Sequence, residues 1–182
     1  NVTPTPIILS ARIQAAQPQM DVAVRLATTL EIDLERNRYS LRDMEGRVEG
    51  KVLDISGLML KLAGNAKADF DMQEYKLNRF MLEASGKNSG EPFDLKMSLP
   101  TVGLVRESFD GDGLMLSASL DGVIGRMSAV LKVPAFKGDM DKFSLQGLSL
   151  ETGLKQSGQA FDARLDTELI GSLKTMQFNL KD

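Results

Sequence analysis

The residues best suited to chemistry in this chain are the paired carboxylates of Asp110-Gly-Asp112-Gly, the kind of oxygen donors that a hard cation such as calcium takes. The spacing is shorter than an EF-hand loop and no distal glutamate follows, so the segment is expected to be a turn leading into a strand at Leu114. Serines are plentiful, but the chain has no histidine to activate one and no Gly-x-Ser-x-Gly elbow. Ser-Lys and carboxylate mechanisms stay open. With neither His nor Cys, the commonest metal ligand, the usual general base, thiolate sites and a disulfide framework all drop out. The expectation is a protein that is not an enzyme and carries no metal or cofactor. Gly46-x-x-x-Gly50 has the spacing of a helix-dimer motif but lies in a polar, strand-like segment, so the match is spurious.

Basic and acidic residues, 22 and 25 of them for a net charge of −3, are interspersed. No basic stripe is left for nucleic acid. Aromatic residues are 5% with no Trp, which argues against stacking platforms for bases or sugars, whereas ten Met and many Leu could line an adaptable aliphatic surface or simply fill a core. Apolar runs fall far short of the roughly 18 residues that cross a bilayer as a helix. A start at Asn1 followed by Thr-Pro-Thr-Pro reads as a segment of a longer protein, with any targeting or anchoring element outside it. Lack of Cys is compatible with cytoplasm or periplasm.

The elements that would position any site are strands. In 58–70, Leu58, Leu60, Leu62, Ala66, Ala68 and Phe70 share one parity and Lys61, Asn65, Lys67 and Asp69 the other, the period of two of a strand with one buried face. After a turn through Met72-Gln-Glu-Tyr75, a second strand returns through Leu77, Phe80, Leu82 and Ala84. Met20 to Leu34 form another long strand, and Ile7 to Ala15 a first one, although residues 11–17 would also suit a short helix.

The chain can be laid over itself. Tyr39-x-Leu41, Tyr75-x-Leu77, Phe109-x-Gly111 and Phe143-x-Leu145 open similar segments at offsets of 36, 34 and 34 residues, and a fifth copy around Leu173–Leu180 comes early, at 28. Leu99-Pro100 and Val133-Pro134 match at the same 34-residue offset and are expected to mark strand ends, since proline cannot donate to a ladder. Lys87-Asn-Ser-Gly90, Asp121-Gly122 and Gln156-Ser-Gly158 supply turn chemistry. The pattern predicts an all-β fold: one domain over 1–182, a long, strongly curved antiparallel sheet of hairpin units repeating every 34–36 residues. Its apolar face must be hidden by a second sheet, by incomplete closure into a barrel or sandwich, or by curling around something apolar as an open groove. Parity nominates Leu58, Leu60, Leu62, Phe80, Leu82 and Leu114 as lining residues. It adds Leu116, Leu148, Leu150, Met176 and Phe178.

The segments DLERNRYSLRDMEGRVEG (33–50), LMLKLAGNAKADF (58–70), GLMLSASLDGVIGRMSAVLKVPAFKG (113–138) and QGLSLETG (146–153) resemble the AsmA family of Gram-negative envelope proteins. The likeness is a rhythm: an acidic strand end, a Tyr-x-Leu strand, a Leu-Pro strand end and a Gly-Leu-x-Leu strand restart. It runs from about Leu30 to the end and includes no catalytic signature. The resemblance implies the periplasmic, β-rich region of a larger protein attached to the inner membrane by a segment outside this chain, and a role in outer-membrane biogenesis or lipid transport, with phospholipid or acyl chains in an apolar groove. Assistance to outer-membrane protein assembly through exposed strand edges is the alternative, and edge-strand dimers of the chain are a further expectation.

Overall fold

The alternation of apolar and polar residues is realised as eleven antiparallel strands in a computed structural model that describes residues 3–181. Asn1, which prompted the reading of a longer parent, and Asp182 lie outside the described residues. The strands are β1 (Thr5–Ala16), β2 (Gln19–Asp33), β3 (Arg38–Val52), β4 (Ile55–Asp69), β5 (Glu74–Asn88) and β6 (Glu91–Val105). They continue as β7 (Ser108–Gly122), β8 (Gly125–Gly138), β9 (Phe143–Gln156), β10 (Gln159–Ser172) and β11 (Gln177–Lys181). Each pairs only with its neighbours in the chain, so the described residues form one open meander running from β1 to β11. Residues 11–16 are strand. Among the described residues there is no helix, and hence none long and apolar enough to cross a membrane.

Most strands have 14 or 15 residues, about 50 Å if straight. They are not straight, because the alternation slips by one residue near the middle of β3 and of β5 to β9, while β2, β4 and β10 keep a single parity. In β3 the pairing to β4 jumps from Leu41↔Ala66 to Met44↔Gly64, and in β5 from Asn78↔Asn65 to Met81↔Ala63. The left-handed residues that absorb the slip are Asp43, Arg79, Gly113 and Gly147 on β3, β5, β7 and β9. Their spacing of 36, 34 and 34 is that of the sequence repeat. Each bulge sharpens the local bend, so a line of bulges running across the strands makes a crease along the sheet.

The prolines belong to this line. Pro100 and Pro134 do not end strands; they lie inside β6 and β8, where the ladder to the neighbouring strand is interrupted beside Gly113 and Gly147. A bulge is the interior position that tolerates a residue with no N–H to donate. Asp110-Gly-Asp112-Gly likewise is not a turn but part of β7 up to its bulge. The Asp121-Gly122 turn falls two residues later, at Val123-Ile124. The fifth repeat is also corrected: Gly171 pairs with both Phe143 and Phe178, which places Phe178 beside the Tyr39, Tyr75, Phe109 and Phe143 series at an offset of 35, not 28.

Candidate functional site

Cross-strand pairing extends the parity of single strands into rows. One row runs unbroken through Leu9, Leu26, Gly46, Leu62 and Leu82 to Met97, Leu116, Leu131, Leu150 and Leu165. Leu60 and Leu58 begin the next two rows outward on the same face. The opposite face carries Lys61↔Glu83↔Lys96 in register, with exposed ion pairs from Arg42 to Glu31 (3.0 Å) and from Arg164 to Glu151 (3.1 Å). Glycines on the apolar face make room for their neighbours: Gly46 lies under the Leu62 side chain, and Gly111 under the Phe136 ring.

No other layer covers this face among the described residues, yet the crease is buried. Thr28, Gly64, Val133 and Thr167, four of the six buried residues there, lie on the crease row with Met44, Phe80, Leu99, Leu114 and Leu148. Val133 is 0% exposed. Burial on this face thus follows the line of bulges, with hollows to either side of it, so the face is a trough whose floor is the crease. The polar groups in the floor are satisfied. Thr28 Oγ1 donates to the Arg42 carbonyl (3.1 Å) at the β3 bulge, the freed Asp43 N–H donates to Asn65 Oδ1 (2.9 Å), and Thr167 Oγ1 donates to the Lys181 carbonyl (2.8 Å).

The trough widens into two hollows. The larger, about 790 Å³, lies over the distal halves of β2–β6 and is lined by Leu30, Leu41, Leu77, Val102, Leu104 and the rings of Tyr39, Phe70 and Tyr75. Phe70 meets the two tyrosines edge-on, with ring centroids 5.2 and 5.8 Å away. The smaller, about 480 Å³, lies toward the other rim among Phe93, Leu95, Leu120 and Met127. The charged face is concave too, as in a strongly twisted sheet, with a hollow of about 590 Å³ among Arg25, Glu45, Arg47, Lys61 and Glu83. Lining chemistry, rather than concavity, distinguishes the faces.

The rim turn beside the larger hollow is tied by Asp69, which accepts from the Met72 backbone N–H (3.0 Å) and from Arg38 Nε (2.9 Å). These donors hold its carboxyl below the usual range. Among the described residues no group of three or more carboxylates is placed to hold a metal ion.

Of the residues nominated from sequence, Phe80, Leu114 and Leu148 lie on the crease, Leu62, Leu82, Leu116 and Leu150 on one row, Leu60 and Leu58 on the rows beyond, and Phe178 in the aromatic row of the far rim. Met176 is set apart, 67% exposed in the turn before β11. The nominations omitted the lining of the larger hollow. Tyr39 and Tyr75 carried a usable signal, since they anchor the repeat, and their recurrence at one register position puts both on one face.

No family model, curated protein or solved structure matches the chain. Fold and site together define a class: a single-layer, hairpin-repeat β sheet creased into a trough, apolar inside and charged outside.

Proposed function

We propose that this trough holds acyl chains, and that the chain is a non-enzymatic module of envelope biogenesis, the periplasmic part of an AsmA-like protein attached to the inner membrane, serving lipid transport to the outer membrane or its homeostasis. One observation carries the reading: a continuous apolar face, ten strands wide along the Leu62 row, that no other layer covers among the described residues. Exposed apolar area of that extent marks a ligand or partner surface, and hollows of several hundred Å³ lined by aliphatic and aromatic side chains suit ligands of lipid size. The ionic outer face keeps the same sheet soluble.

The test sets two faces of one sheet against each other. Leu116→Glu puts a carboxylate in the trough wall, where water reaches it. It is expected to retain the strand signal in circular dichroism and to lose uptake of a fluorescent fatty acid or phospholipid, while Glu83→Gln on the outer face changes neither. A parent chain that binds no lipid, with a Leu116→Glu variant that unfolds, overturns the reading and leaves assistance to outer-membrane protein assembly as the better one.

A further inference from the structure

The two rims of the trough are built differently. On one rim all five turns, from β1–β2 to β9–β10, have two residues. On the other, four of the five turns have four residues, 34–37, 70–73, 139–142 and 173–176, and only 106–107 is short. Two residues suffice to close a hairpin, so the extra length is not needed to reverse the chain. Each four-residue turn holds out an apolar side chain: Leu34, Met72, Met140 and Met176 are 78, 54, 51 and 67% exposed. Neighbouring turns are also fastened together. The Phe70 N–H donates to the Asn37 carbonyl (3.1 Å), Asn37 Nδ2 to Asp71 Oδ1 (3.1 Å), the Arg106 N–H to the Gln73 carbonyl (2.8 Å) and the Leu173 N–H to the Met140 carbonyl (3.0 Å). Lys174 pairs with Asp141 across the last of these gaps (3.0 Å). Three turns toward one end of the rim and two toward the other are thus each held as a unit, with adjacent turns two strands, about 10 Å, apart.

We propose that this rim docks on a lipid bilayer, its four apolar tips dipping into the surface one by one. Charge selects a lipid surface of no net charge: the five turns carry four basic and five acidic residues, which leaves no cationic surplus for an anionic one. Arrangement argues against a protein partner. The core of a protein interface is a contiguous patch depleted of charge, whereas Leu34, Met72 and Met140 each have a carboxylate next to them in the chain, Glu35, Asp71 and Asp139. A bilayer surface accepts that pattern, because apolar side chains enter it singly while charged neighbours stay at headgroup level. The turn that holds Met72 also carries Phe70, which lines the larger hollow. Docking sets that hollow beside the membrane. The proposal concerns the rim and does not rest on lipid in the trough.

The chain has no Trp, so one introduced at a tip reports its own surroundings. With phosphatidylcholine vesicles, Met72→Trp is expected to shift its emission to the blue, and Val123→Trp on the opposite rim, where Val123 is 96% exposed, is expected not to shift. The parent chain is expected to co-sediment with these vesicles at low and high salt alike. Leu34→Ser, Met72→Ser and Met140→Ser combined are expected to weaken partitioning about tenfold and to keep the strand signal in circular dichroism, since all three side chains already face solvent. Val123→Ser is expected to leave partitioning unchanged. A parent chain that stays in the supernatant, binding that needs anionic lipid and disappears with salt, a blue shift at both Trp positions, or an equal loss from Val123→Ser would overturn the proposal. If the parent ignores vesicles but self-associates, and the triple variant does not, the rim belongs to a protein partner and the proposal falls.

Discussion

The crease and the walls of the trough are built from the same aliphatic residues, in the same sheet, and differ in how well they are hidden. Val133 on the crease is fully buried, whereas Phe70 and Leu104 on the wall of the larger hollow are 48 and 37% exposed. Composition does not separate them. Position relative to the bulges does: a one-layer sheet has no partner to pack against and obtains its core by bending along a line. The crease holds the fold together, and the walls remain available to a ligand.

That contrast is easiest to break with charge. Val133→Asp buries a carboxylate with no partner at a site closed to water, a cost of several kcal/mol, and is expected to abolish the strand signal that Leu116→Glu retains. If both variants melt alike, the crease is no more a core than the wall. A smaller effect is expected from the bulge. Gly113 has φ of +73°, and a Cβ there would lie 2.8 Å from Pro100 Cγ in a rigid ring, whereas Gly158 in the β9–β10 turn has the same φ and open space. Gly158→Ala is expected to cost about 1 kcal/mol from backbone strain alone and Gly113→Ala about 2 kcal/mol, and adding Pro100→Ala to the latter should recover the difference in denaturant titrations.

The smallest effect concerns pH at the rim. Asp69 is held below its ordinary value, so its hydrogen bonds stabilise the fold above the usual carboxylate pKa and are lost as pH falls through the depressed one. Between neutral pH and about pH 2, the parent chain should therefore lose more stability than Asp69→Asn. Equal losses, measured by thermal melting across the series, would show that the turn does not depend on the charge.

Strand facing is legible because a period of two survives any local disturbance that stays within a strand. The crease was not, because a bulge is a relation between two strands. Asp43 and Arg79 take left-handed φ with no glycine to announce it, and Pro100 and Pro134 look like terminators until a neighbouring ladder is seen to pause beside them. The misplaced fifth repeat has the same origin. Phe178 was counted along the chain from Leu150, on the far side of a phase slip, and only pairing through Gly171 sets it beside Phe143. Among site residues, leucines on regular alternation were found, and the tyrosines beyond the slip were not.

The nearest-neighbour meander has a consequence for how the chain acquires and loses structure. Every pairing closes within the span of one hairpin, so assembly can start at any hairpin and spread in both directions, each new strand needing only the edge already present. Heating or denaturant should likewise strip the sheet from its ends, with β11 and β10, held by the fewest partners, exchanging amide hydrogens long before β7 and β8. A chain built this way can emerge from a narrow exit one strand at a time and fold as it comes, with no distant segment to wait for.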